Sequence, residues 1–143
     1  MARFNMRVDF VDNSRLLERK VKSAMKDAVL DVTLDMKRVA SASAPHDTGF
    51  LEKSAQHEVF VTNQSVEGTV GFSAVHDGFD YARWTHDEEY NLGEKSARKR
   101  GGKSRFGNGG TVPVGKGYLE NALEMNKQGY LQYLEQKYKE SLS

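Results

Sequence analysis

Residues 14–43 contain neither glycine nor proline, and this stretch limits the fold more than any other. Leu17, Val21, Met25, Ala28, Val32, Met36 and Val39 recur every three or four residues, which lays a single apolar stripe along a helix. Such a helix spans about 45 Å at a rise of about 1.5 Å per residue, long for a domain of this size. Pro45 ends it, because the residue before a proline is pushed out of the helical region. A helix with one apolar face needs a second layer to cover it. Phe4, Met6, Val8 and Phe10 alternate with Asn5, Arg7 and Asp9, the period of a half-buried strand. Asp12-Asn13-Ser14 between them reads as a turn that also caps the helix.

Beyond Pro45, residues 50–55 read as a short turn of helix. Glu58-Val59-Phe60-Val61-Thr62 and Val66-Glu67-Gly68-Thr69-Val70-Gly71-Phe72 read as two strands, joined by a hairpin at Asn63-Gln64-Ser65. Residues 79–84 are aromatic and fit a strand or a short helix equally well. From Tyr118 a last helix carries Leu119, Leu123, Tyr130, Leu134 and Tyr138 on one stripe. Gly129 is a soft spot within it, costing about 1 kcal/mol against alanine. The expected architecture is one α+β domain over residues 1–143. In it a small antiparallel sheet packs with a long N-terminal helix and a C-terminal helix.

Residues 93–117 differ from the rest. They hold eight of the thirteen glycines, and residues 95–105 carry six basic side chains and no acidic one. With few apolar side chains to repay ordering, this segment reads as a long mobile loop. Its cations are Lys95, Arg98, Lys99, Arg100, Lys103 and Arg105. Three readings stay open for them: non-specific contact with DNA phosphates, an arm that orders against an acidic patch on a neighbouring subunit, and a solvated loop. The formal net charge of +1 favours none of the three.

The absence of cysteine removes disulfides, thiol catalysis and the usual ligands of structural zinc. No stretch approaches the roughly 20 apolar residues of a membrane span, and the start of the chain lacks a signal-peptide core. The expected compartment is a cytoplasm, with no membrane partner. Three of the four histidines precede an aspartate, at His46-Asp47, His76-Asp77 and His86-Asp87. Such pairs can ligate metals, yet Asp47-Thr48-Gly49 and Asp77-Gly78-Phe79 are also ordinary turn chemistry. Gly71-Phe72-Ser73-Ala74-Val75 lacks the second glycine of a serine nucleophile elbow, and phosphate-loop and dinucleotide patterns are missing. No catalytic residue, metal ligand or cofactor is expected. Trp84, the only tryptophan, fits core packing or an interface anchor. Tyr118 and Tyr133 of the last helix raise the same question and are expected interface residues.

Three short signatures occur in a fixed order. Ala44-Pro45-His46-Asp47-Thr48-Gly49-Phe50-Leu51 follows the long helix. Tyr81-Ala82-Arg83-Trp84-Thr85-His86-Asp87 comes next, and Lys116-Gly117-Tyr118-Leu119-Glu120-Asn121-Ala122-Leu123 opens the last helix. Together they resemble the tail-completion and head–tail joining proteins of long-tailed phages, often called minor capsid proteins. The first signature matches that family's Ala-Pro-x-Asp-Thr-Gly-x-Leu turn in full. The third has one extra residue before Tyr118. The likeness runs from about Arg15 to Ser143.

The resemblance implies a structural protein of the virion, made in the host cytoplasm and placed at the phage neck or tail end. Its partners would be further copies in a ring, portal-side neck proteins, and tail-tube or tail-terminator proteins. It implies a structural turn in which Pro45 ends the helix, Asp47, Thr48 and Gly49 reverse the chain, and Leu51 plugs it back into the core. The basic segment falls where that family varies most, so no role is carried over to it. The alternative is a small DNA-binding or packaging accessory protein that uses residues 95–105.

Overall fold

A computed structural model describes residues 4–11, 19–46, 49–76, 79–107 and 109–142. The apolar stripe becomes helix α1 (Arg19–Ser43), with Val21, Met25, Ala28, Val32, Met36 and Val39 all buried. Leu17 and the expected cap at residues 12–14 lie outside the described residues. Strands β1 (Phe4–Val11), β2 (Gln56–Val61) and β3 (Ser65–Phe72) form an antiparallel sheet in the order β1-β3-β2. Phe4 pairs with Phe72, and Gln56 with Gly71. Along β3, Val66, Val70 and Phe72 share one buried face, against which α1 lies. Alternation on the strand and a 3.6-residue period on the helix thus close one two-layer core, an α+β fold.

Helix α2 (Phe50–Lys53) connects α1 to the hairpin. Residues 79–84 use both of their expected conformations. They open as β5 (Phe79–Asp80), paired with β4 (Val75–His76), and continue as helix α3 (Tyr81–Asp87). The Asp80 carboxylate caps α3 by accepting from the Arg83 amide at 3.0 Å. The expected single last helix is two: α5 (Tyr118–Glu124) and α6 (Lys127–Ser141). Between them the buried Asn126 side chain donates back to Ala122 O at 3.0 Å. Among the described residues no helix is long and apolar enough to cross a membrane.

Residues 93–117 are not the featureless loop that their composition suggests. They carry α4 (Glu94–Ala97) and the paired strands β6 (Gly102–Lys103) and β7 (Thr111–Val112). Hydrogen bonds from α1 add to the segment's few apolar anchors, Val112 in the core and Phe106 against it. Ser43 Oγ donates to Val112 O at 3.0 Å and accepts from the Gly102 amide at 2.9 Å. Asp35, buried within the apolar stripe, accepts from Ser104 Oγ at 2.6 Å and from the Arg105 amide at 3.1 Å. These bonds tie the segment to the middle and end of α1.

Candidate functional site

At the C-terminal end of α1 the first sequence signature lines a groove with the second, which in turn bonds to the third. Pro45 is buried there, Gly49 takes a left-handed φ of 84°, and Leu51 is buried in the core. Each does what the turn reading expects; Asp47 and Thr48 lie outside the described residues. The second and third signatures bind each other. Tyr118 Oη donates to Ala82 O at 2.8 Å, and the Gly117 amide donates to His86 O at 2.7 Å. The Glu120 amide donates to His86 Nε2 at 3.1 Å. The Gly115 amide donates to Ser43 O at 3.0 Å, which ties this knot to the last turn of α1. The Tyr118 ring meets Phe72 and His86 edge-on, each at 5.1 Å.

Tyr118 therefore corrects an expectation. It is fully buried, not an interface residue, and burial pushes its phenol well above the ordinary range. Its position beside Gly117 at the helix start gives no sign of this, since Phe72 and Ala82 reach it from distant parts of the chain. Tyr118→Phe deletes the buried hydroxyl's bond to Ala82 O and its longer one to Thr85 Oγ1, and keeps the ring packing. We expect it to lower unfolding stability by about 1 kcal/mol, measured by urea titration.

The histidines are occupied in the same local way. With Nε2 of His86 accepting from Glu120, its Nδ1 carries the proton and donates to Asp87 at 2.9 Å. His46 Nδ1 lies 2.5 Å from Glu52 Oε1. The same carboxylate oxygen pairs with Lys99 Nζ at 3.3 Å. The His76 side chain lies outside the described residues, and among those described no three acidic or histidine side chains gather as a metal site would need.

Trp84 lies next to this knot, on the outside. Its indole stacks on Tyr90 with centroids 5.2 Å apart and 22° between planes, and Phe79 lies 6.4 Å away. Trp84 stays 40% exposed and Phe79 51%, so this aromatic row faces solvent. Trp84 and Tyr90 line an open groove of about 420 Å³, closed by Pro45, His46, Leu92 and Lys95. Tyr90, which no sequence signature marks, donates its hydroxyl to Thr85 O. Burial and the neighbouring Tyr81 push its pKa up to about 12. Tyr133 is half-buried against Phe106 at 4.4 Å and donates to Asp31 at 2.5 Å, so it is partly spent within the fold.

The six cations separate into two groups. Lys99 Nζ turns inward to Ser41 O at 3.2 Å and Ala44 O at 2.6 Å, carbonyls at the end of α1. Arg98 pairs with Glu94, and Lys95 is engaged as well. Arg100, Lys103 and Arg105 have exposed side chains with no ion-pair partner among the described residues. The fold and site thus define an α+β protein with two interlocked motifs, an aromatic groove and three exposed cations at Arg100, Lys103 and Arg105. Compared with protein-family models, curated proteins and solved structures, the chain finds no match.

Proposed function

We propose that this chain is a structural virion protein of a tailed phage, acting in head–tail joining or tail completion at the neck. The observation that carries the reading is the interlocking of the second and third signatures beside the first. The second and third signatures hold each other by backbone and buried side-chain bonds, and the first lines the groove beside them at the end of α1. Those are the duties of a scaffold, with side chains spent on shaping a surface. Beside it lies an exposed aromatic row of the kind that anchors protein interfaces. The mechanism is shape and avidity: subunits form a ring, and weak contacts repeated by symmetry hold head-side and tail-tube proteins.

Electron microscopy of the encoding phage, with the gene removed and then supplied in trans, tests this. Filled heads beside separate tails, or tails of abnormal length, are the expected result, repaired by the wild-type gene. The double variant Phe79→Ala, Trp84→Ala should fold, because both rings are half exposed, yet fail to repair the defect. Intact particles with normal tails in the deletion would overturn the reading.

A further inference from the structure

We propose that Arg100, Lys103 and Arg105 form a face that binds the phosphate backbone of duplex DNA, without reading its sequence. This is independent of the assembly reading, since it rests on how the fold disposes of its cations. Arg98 and Lys99 are charge-paired within the fold and Lys95 is engaged, while these three, within six consecutive positions, have no ion-pair partner among the described residues.

Their backbone is held in place. The Gly102 amide is bound by Ser43 and the Arg105 amide by Asp35, and Arg38 Nη2 donates to Lys103 O at 2.6 Å. Arg38, its side chain 42% exposed, lies beside them and pairs with Asp35 at 3.0 Å. Of the acids on this side, Asp35 pairs with Arg38, while Asp31 accepts from Tyr133 and keeps its charge. A charged face set on a fixed backbone spends little ordering entropy on binding.

The neighbours of these cations choose the ligand. Between and after them lie Gly101, Gly102, Ser104, Gly107, Gly109 and Gly110. A protein interface builds its core from aromatic and aliphatic anchors, which this run lacks. Small residues among cations suit a phosphate backbone, which can then approach closely. Phe106, the one nearby ring that could stack a base, is turned inward onto Tyr130 and Tyr133. With no free ring, single strands gain nothing from stacking, and the higher charge density of a duplex decides.

The test is fluorescence anisotropy of the full chain with a labelled duplex of about 20 bp and arbitrary sequence, between roughly 50 and 200 mM salt. Wild-type affinity should fall linearly on a log–log plot. The triple variant Arg100→Ala, Lys103→Ala, Arg105→Ala should flatten that slope by about 0.9 for each phosphate it no longer neutralises, roughly 2–3 in all, and weaken binding at least about tenfold at low salt. A matched triple, Lys26→Ala, Lys127→Ala, Lys139→Ala, removes the same charge from exposed positions elsewhere and should leave slope and affinity nearly unchanged. Circular dichroism should report native fold in both variants. Equal weakening by both triples, tighter binding to a single strand of the same length, or no wild-type binding at low salt would overturn the proposal. So would loss of self-association, rather than of DNA binding, in the first triple, which would assign the face to an acidic surface of a second copy.

Discussion

Asp35→Ala should lower the unfolding free energy by about 3–5 kcal/mol, the cost of stripping a buried charged group from its partners. The Asp35 carboxylate accepts four hydrogen bonds. Oδ1 takes Arg38 Nη2 at 3.0 Å and the Arg105 amide at 3.1 Å, while Oδ2 takes Ser104 Oγ at 2.6 Å and Tyr130 Oη at 2.7 Å. One side chain thus joins α1, the 93–117 segment and α6. Alanine leaves several of those donors buried without an acceptor, and each such loss costs about 1–3 kcal/mol. Asp35→Asn should cost less, since the Ser104 and Tyr130 hydroxyls can turn to accept from the new amide. Urea unfolding of the two variants beside wild type checks the order. A loss under about 1 kcal/mol for Asp35→Ala would show that the 93–117 segment holds to α1 by other means.

The same group sets an acid limb. Burial alone raises the Asp35 pKa, but the bonds from Ser104, the Arg105 amide, Tyr130 and Arg38 outweigh it and hold the group below its ordinary 3.8. A depressed pKa in the folded state means the unfolded chain takes up the proton first as pH falls. The stabilisation is therefore complete above the unfolded value and is lost below about 3.8, as pH drops through the folded one. Asp35→Asn has no such component. Its stability relative to wild type should improve steadily as the pH is lowered through that window, followed by urea midpoints.

What could be read from the chain alone was local. The stripe on α1, the alternation in β1 and the β2–β3 hairpin each repeat within a few residues, and the structure has the helix, the strand and the hairpin where they were expected. What escaped was set by partners far along the chain. Asp35 meets Ser104 and Tyr130 across 69 and 95 positions, so nothing local marks residues 93–117 as anchored. A signal was present nonetheless: Asp35 falls between Val32 and Met36 on the apolar stripe, where a charge needs a buried reason. The break between α5 and α6 was hidden differently. Leu119, Leu123, Tyr130 and Leu134 keep a helical spacing straight across it, with no glycine or proline at Met125 or Asn126. At the site, the turn residues were legible because proline and glycine act on their own backbone. The exposure of Trp84 and the burial of Tyr118 were not, because tertiary neighbours decide both.

Gly129→Ala should destabilise the protein by about 2 kcal/mol, the opposite sign to what helix propensity gives. In an exposed helix interior, alanine gains about 1 kcal/mol over glycine. Gly129 lies inside α6, but backbone from the 93–117 segment crosses directly over it. A Cβ there would stand 2.5 Å from Gly107 Cα, 2.5 Å from Phe106 O and 2.9 Å from Phe106 C. All three are backbone atoms, so no side-chain rotation relieves the clash. Either α6 or the crossing segment must shift, and overpacking of this kind costs about 1–3 kcal/mol, occasionally more. The shift also pulls Phe106 from Tyr130 and Tyr133, and draws on the Ser104 bonds to the Phe106 amide at 3.0 Å and to Asp35. Gly93→Ala is the control: its Cβ meets nothing within 4 Å, and its φ of −67° suits alanine. That variant should stay within about 0.5 kcal/mol of wild type. Thermal and urea unfolding of the pair decides between the two accounts of Gly129. A stabilised Gly129→Ala would mean that the crossing segment does not rest on α6 in solution, and Asp35→Ala should then also cost little.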